Sequence, residues 1–421
     1  MNTIASKSTT VLITGPPWPH SGTARVIENQ IEYYRKRGYT TVFLCVPIHC
    51  SYVADYPEWE RIKSGINELG ADRTFFAAIN QRRFSREKYL TWMRHAFRGT
   101  ALDWIVFTGG SADLTDEAVR ALHDAQVALV HVNHIFTLGF AQRLLRRVVR
   151  SGLRVPVILE THDVQAHLLT ERGDINPWTH RLDATRRLLQ SELTCVNKAK
   201  VLVHCSVDDF EFFRQQLPDK PHVLSLPTID ESFISIVKAA RPSNEPIDLL
   251  FVGQSTDPNR AAMKWFFEQV WPLIANRGYR IKIVGQVDMK VREELPEIHR
   301  EFGSHFVGPV AELAPFYRAA RCVFAPMVSG TGISIKTIEA LALGKPFVGT
   351  SKAFRGMPMD EIVQVGLEPH DSPQAFAEAI ARNLSNERAA AQASCAAYVK
   401  LFSKPAAFCS RDEALRLATA P

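Results

Sequence analysis

The chain has 421 residues, which at about 150 residues per domain allows two or three domains. Its 46% hydrophobic and 22% charged residues are the balance of a folded protein and exclude a disordered, collagenous or coiled-coil chain. Lys and Arg (50) outnumber Asp and Glu (44), a net charge of +6 that suits an anionic small ligand or a membrane surface and is too small to argue for nucleic acid.

Short β-branched runs alternate with helical patterns, which predicts an α/β fold with parallel sheets. The first unit is the strand 10–14, a turn rich in Gly and Pro (15–22), and a helix with Val26, Ile27, Ile31 and Tyr34 on one face. Further strands are expected at 40–46, 104–108, 127–132, 155–159, 201–204 and 222–226. Together these make a doubly wound, Rossmann-like domain over 1–236. The polar stretch 237–246 carries Pro242 and Pro246 and reads as a linker. The alternation restarts with strand 247–252, a turn over 253–259, helix 262–275 and strand 281–284. Next come 306–308, strand 322–325, helix 335–343 and strand 346–349, giving a second Rossmann-like domain over 247–401. The last segment, about 402–421, reads as a helix that packs back on the first domain. Open α/β sheets bind ligands beyond the carboxyl ends of their strands, so two such domains are expected to face each other across a cleft.

The seven cysteines, an odd and scattered set without CxxC spacing, form neither a zinc site nor a disulfide framework. Cys45 and Cys322 lie in apolar segments, where a thiol behaves as a small hydrophobe. The chain opens on polar residues without a secretory pattern, and no stretch approaches the ~18 apolar residues of a membrane span. The expected setting is the cytoplasm. The histidines at 131, 134, 162 and 167 lack metal-ligand spacing. The run Arg143–Arg150 is patterned as a basic amphipathic helix, with Leu144, Leu145, Val148 and Val149 inward. Its charged face suits either solvent or an anionic membrane, the latter as a peripheral contact on the inner face.

The most informative segment runs from Phe324 to Pro346, where a strand enters a loop with Gly330 and Gly332 and a helix begins near Ser334. Free amides at a helix N-terminus bind anions, and the glycines let backbone approach a ligand closely. Lys336 in the first turn is a cation where the dipole disfavours one, a conflict that a bound phosphate removes. Glu339 shares a face with Lys336 and borders the stripe Ile335, Ile338 and Ala342, so it should be partly buried, where paired hydroxyls such as those of a ribose would satisfy it. The same segment also suits a plain strand–turn–helix, with glycines for packing and Lys336 and Glu339 as a surface ion pair. It is neither a Walker A loop nor a dinucleotide-binding fingerprint.

The pattern Gly-Thr-Gly-x-x-x-Lys-x-x-Glu-Ala-x-x-x-Gly-x-Pro resembles the donor site of GT-B retaining glycosyltransferases of family GT4, the glycosyl transferases group 1. Other residues follow the family's order: Gly22 and Thr23, Thr161-His162-Asp163, Glu192, Pro227 and Asp230, Phe251-Val-Gly253 with Asn259 and Trp265, Ile283-Val-Gly285, Phe306-Val-Gly308, and Phe316-Tyr317. The resemblance implies the GT-B fold and transfer of a sugar from a nucleotide-sugar, UDP- or GDP-linked, to a glycan, lipid-linked or protein acceptor, as in polysaccharide biosynthesis. Retention, no metal and no cofactor are implied as well.

The resemblance gives His162, Lys336 and Glu339 the catalytic roles. Donor binding falls to Gly22, Thr23, Gly253, Arg260, Gly308, Gly330, Thr331, Gly332, Ile333, Ser334, Lys336 and Glu339, with His134 and Asp163 on the acceptor side. Glu339 would hold the ribose, Lys336 and the amides of Gly332–Ser334 the diphosphate, and His162 would stand beside the sugar. The chain departs from the family pattern at Thr331, where the first of two glutamates is usual, and at Gln254, where an arginine is usual, with Arg260 beyond it. Two other activities fit: a nucleotide-sugar 2-epimerase, and a non-catalytic sugar-nucleotide-binding subunit.

Overall fold

The structure is a computed structural model that describes residues 9–19, 21–48, 59–79, 101–149, 154–171 and 184–420. The chain divides into two compact units, Met1–Ser225 with Phe408–Pro421, and Leu226–Ala407.

The first unit is built on a seven-stranded parallel sheet. Its strands are β1 (Thr10–Gly15), β2 (Thr40–Cys45), β3 (Arg73–Phe76), β6 (Val127–Asn133), β7 (Val157–Glu160), β8 (Val201–His204) and β9 (His222–Leu224), in the order β3-β2-β1-β6-β7-β8-β9. A small antiparallel pair, β4 (Ala78–Ile79) and β5 (Ala112–Asp113), lies outside that sheet. All six residues of β1 are buried, as expected of a central strand covered on both faces. Alternation along the strands separates two cores. Leu12, Leu44, Val132 and Leu159 enter one, and Val11, Ile13, Phe43 and Ile158 enter the other. Strand order reverses between β1 and β6, which makes the carboxyl ends of those two strands the switch point of the sheet.

The structure corrects the strand expected at 104–108: the segment is a helix, Ala101–Gly110, packed on the helices Ile135–Val148 and Ala184–Val196. A short apolar run carries no period of its own, so helix and strand look the same there in sequence. Gly109 permits the approach, since a Cβ there would lie 2.2 Å from the Phe136 carbonyl oxygen.

The second unit carries a five-stranded parallel sheet. Its strands are β10 (Ile247–Val252), β11 (Ile281–Val284), β12 (Phe306–Gly308), β13 (Ala320–Ala325) and β14 (Phe347–Gly349), in the order β12-β11-β10-β13-β14, with its switch point between β10 and β13. Asp230 caps the helix Glu231–Ala239, accepting from the Ser232 amide at 3.0 Å, and Val237 of that helix is buried. The helix expected at 262–275 begins earlier, at Asp257, and passes through a π-turn over Phe266–Val270 before Trp271–Ile274. Pro272, which has no N–H to give, follows that turn.

The last helix, Lys404–Thr419, places Ala414 and Ala418 in the first unit's core. Asp412 on it accepts from the Tyr33 hydroxyl at 2.8 Å and from Arg37 Nε at 2.9 Å. Among the described residues no helix is long and apolar enough to cross a membrane.

Candidate functional site

In the second unit the candidate residues gather at the switch point. β13 leaves the sheet into the loop holding Gly330 (φ 124°) and Gly332 (φ 62°), both in conformations open chiefly to glycine. Ser334 is the N-cap of the helix Ile335–Ala342, and its side chain caps no amide. The first turn of that helix therefore offers backbone N–H groups with no intrahelical acceptor.

Lys336 turns back over the sheet. Its Nζ lies 4.3 Å from the centre of the Phe251 ring and donates to Asn259 Oδ1, while Asn259 Nδ2 donates to the Gln254 carbonyl at 2.9 Å. Burial, reinforced by the positive charge of Arg355 and opposed by Glu339, brings the Lys336 ammonium down to about 7. Glu339 is buried, one turn further along the helix, and the Tyr317 hydroxyl donates to its Oε2 at 3.0 Å.

Three glycines shape the neighbouring strand ends. Gly285 (φ 112°) approaches so closely that a Cβ would lie 2.3 Å from the Gly253 carbonyl oxygen. Gly285 also donates to the Gly308 carbonyl at 2.8 Å, so Gly253, Gly285 and Gly308 form one tight rim.

Two further arginines of this unit are placed by the fold. Arg260 faces the helix Val287–Glu294, with its Nε 2.9 Å from Glu294 Oε2 and 3.7 Å from Asp257 Oδ1. Arg355, which the sequence reading passed over, lies on the loop itself. Its Nε donates to the Thr331 carbonyl at 3.0 Å, and its guanidinium stands 3.3 Å from where a Cβ on Gly330 would sit. Lys336, Arg355 and a helix N-terminus converge on one Gly-rich loop, an arrangement that binds anions.

In the first unit the residues also meet at the switch point. Gly22 is the first residue of the helix Gly22–Lys36, whose N-cap Ser21 accepts from the Ala24 amide at 3.2 Å, and a Cβ on Gly22 would meet nothing within 4 Å. Thr23 Oγ1 pairs with His134 Nε2 at 3.0 Å. His134, just past β6, and His162, just past β7, are the two non-glycine residues with positive φ among the described residues, at 61° and 64°. Their rings stack 4.0 Å apart at 13°. Backbone conformations of this kind cost roughly 1–3 kcal/mol and cluster at functional sites.

Burial pulls the His162 imidazole down to about 4 and holds His134 well below its usual value, so both rings are neutral near pH 7. Beneath them lies a buried polar chain. His162 Nε2 is 3.0 Å from Asn133 Oδ1, Asn133 meets Gln30, and Gln30 Nε2 donates to Glu160 Oε2 at 2.7 Å. Burial pushes the Glu160 carboxyl up, but the His131 N–H and the charge of Arg411 outweigh it and hold it down at about 2. Asp163 follows His162 in the same loop. Glu192 then caps the helix Gln165–Glu171 by accepting from the amides of Gln165 and Ala166, each at 2.8 Å.

Elsewhere in the unit, Arg143 and Arg147 are held by the Ala112 carbonyl and the Asp113 carboxylate. Arg150 lies outside the described residues. Among the described residues no three His, Cys, Asp or Glu side chains are grouped to share a metal ion.

Residues 246–386 match the family model of glycosyl transferases group 1. The second unit is a group 1 glycosyltransferase domain. Among curated proteins there is no match. Solved structures align along nearly the whole chain. Sucrose-phosphate synthase from Thermosynechococcus elongatus is 15% identical, with 97% of this chain and 98% of that one covered, at a TM-score of 0.62. A glycosyltransferase from Rickettsia africae is 12% identical over 98% and 100%, at 0.62. Anabaena Alr3699/HepE in complex with UDP is 14% identical over 97% and 99%, at 0.60. At these identities the likeness establishes the fold, which is GT-B. With a group 1 glycosyltransferase domain on that fold, the chain is a glycosyltransferase.

Proposed function

We propose that the protein transfers a sugar from a nucleoside-diphosphate sugar to a glycan, lipid-linked or protein acceptor, with retention and without a metal. The observation that carries this reading is the loop before the helix Ile335–Ala342, where Lys336 and Arg355 accompany the open helix N-terminus and a buried Glu339 follows one turn later. A diphosphate would lie on the amides of Gly332–Ser334 between the two cations, and Glu339 would take the ribose hydroxyls. As the glycosidic bond breaks, negative charge grows on the leaving diphosphate. Helix dipole, Lys336 and Arg355 stabilise that charge from fixed positions. Lys336, whose ammonium burial brings down to about 7, becomes fully charged beside a bound phosphate. In the first unit His162 would stand beside the sugar, Gly22 and Thr23 would serve the donor, and His134 and Asp163 the acceptor.

The test is a melting panel of the full chain with UDP, GDP, ADP and dTDP, each with and without EDTA. A ligand at about 100 times its Kd stabilises by about 2.7 kcal/mol, a shift a melting curve resolves. UDP comes first, because HepE is seen with UDP and with UDP-glucose. One nucleotide shifting the melt equally in EDTA supports the proposal. A shift that needs a divalent ion removes metal independence, and no shift with any nucleotide removes the donor site. Thr331, at the position where a glutamate is usual, favours a second reading: a subunit that binds sugar nucleotides without turnover. Nucleotide binding with no transfer to any acceptor class would select it.

A further inference from the structure

The buried polar chain under His162 has two ends whose hydrogen-bond roles are fixed, and between them every amide direction can be assigned. One end is the Thr14 carbonyl, which only accepts. Asn133 Nδ2 lies 3.1 Å from it, so the amide nitrogen points there and Oδ1 faces His162. The other end is Glu160, a carboxylate that also only accepts. Gln30 Nε2 lies 2.7 Å from it, so Gln30 Oε1 faces Asn133 Nδ2, at 2.9 Å. The assignments come from opposite ends and agree, since Gln30 Nε2 then also reaches Asn133 Oδ1 at 3.0 Å.

The consequence falls on His162. Its Nε2 stands 3.0 Å from Asn133 Oδ1, an atom with no proton to give, so Nε2 carries the proton and Nδ1 the lone pair. The ring cannot readily turn, because His134 stacks on it at 4.0 Å and its backbone is held at φ 64°.

We infer that Asn133 is a positioning residue for His162: it fixes the Nε2–H tautomer and leaves Nδ1 to accept a hydrogen bond from a substrate hydroxyl. Gln30 and Glu160 hold Asn133 in turn. The inference rests on His162 acting in the proposed transfer, so its test separates the imidazole's state from turnover.

The experiment is 15N NMR of the imidazoles in the full-length, unliganded protein, with His162 assigned by the signals lost in His162→Ala. Expected is one species, protonated at Nε2 and unprotonated at Nδ1, from pH 6 to 8. Asn133→Leu should give a mixture of both tautomers and lower kcat by about 10–100-fold, with the donor KM unchanged within about twofold. Asn133→Asp keeps an acceptor at that position, so it should keep the Nε2–H form, raise the His162 pKa and recover most of kcat. Where Asn133→Leu fails to fold, the rise in pKa at constant tautomer in Asn133→Asp carries the test. Protonated Nδ1 in the parent protein, or an unchanged His162 spectrum in a folded Asn133→Leu, overturns the inference. The expected spectra with undiminished turnover overturn the role given to His162 in the proposed function.

Discussion

Lys336 stands with its ammonium 4.3 Å from the centre of the Phe251 ring, at the start of a helix whose dipole opposes a cation. Burial brings that ammonium down to about 7 against an ordinary lysine value near 10.4. Between those two values the unfolded chain binds more protons at this lysine than the folded one, so the Lys336 contribution to stability rises with pH. Lys345, pulled down to about 8 by burial, adds to the same slope. Above about 8.5 the buried thiols of Cys45, Cys205 and Cys322, pushed up by burial, act in the opposite direction. From pH 7 to 10 the melting temperature of Lys336→Met should rise less steeply, or fall more steeply, than that of the parent protein.

Ligand binding should show the opposite pH dependence. A bound diphosphate favours the charged lysine, so binding takes up a proton above pH 7. Nucleotide affinity should fall with pH by up to about tenfold per unit from 7 upward. Calorimetry in buffers of different ionisation enthalpy reads the proton directly. A pH-independent affinity would remove Lys336 from the phosphate site.

Glu339 holds the third prediction. A carboxylate kept in place by the Tyr317 hydroxyl is expected to take two ribose hydroxyls, and hydrogen bonds to charged groups are worth about 1.5–3 kcal/mol. Glu339→Ala should abolish detectable nucleotide binding, and Tyr317→Phe should weaken it by about tenfold. Titration calorimetry checks both, and an intact affinity in Glu339→Ala contradicts the ribose role.

His162 should separate binding from turnover. His162→Ala is expected to leave nucleotide affinity within about twofold and to lower transfer by about 10²-fold or more. Undiminished turnover would take His162 out of the reaction.

The C-terminal helix gives a prediction about stability alone. Asp412 accepts from both Tyr33 and Arg37, and the Arg37 pair is partly exposed, which limits its worth. Asp412→Ala should cost about 1–2 kcal/mol in denaturant unfolding, with no change in nucleotide affinity. A change in affinity would show that the latch reaches the second unit's site.

Much of the second unit was legible because its signals are local. Strands 247–252 and 281–284 form at those bounds, and the glycines at 330 and 332 announce the loop they shape. The buried Glu339 followed from its place beside an apolar stripe. What escaped reading depends on distant chain. Arg355 reaches the loop only because β14 pairs with β13, and no spacing in sequence joins it to Gly330. Arg260 follows the turn after β10 in sequence, yet Glu294 holds it across a helix pair. The chain Gln30–Asn133–Glu160 joins residues from three separate elements. Each alone reads as an ordinary polar residue beside an apolar run.

The helix Lys404–Thr419 makes the first unit discontinuous, and that sets a timetable for the ribosome. Residues 226–407 must be synthesised between Ser225 and the segment from Phe408 that completes the unit. Those 182 residues take about 10–35 s at ~5–20 residues per second. Throughout that interval the nascent first unit lacks Ala414 and Ala418 over its core, Asp412 for the Tyr33 hydroxyl, and the charge of Arg411 toward Glu160. Its exposed apolar patch is then a ready target for chaperones, while the second unit, continuous in sequence, can fold as soon as it emerges.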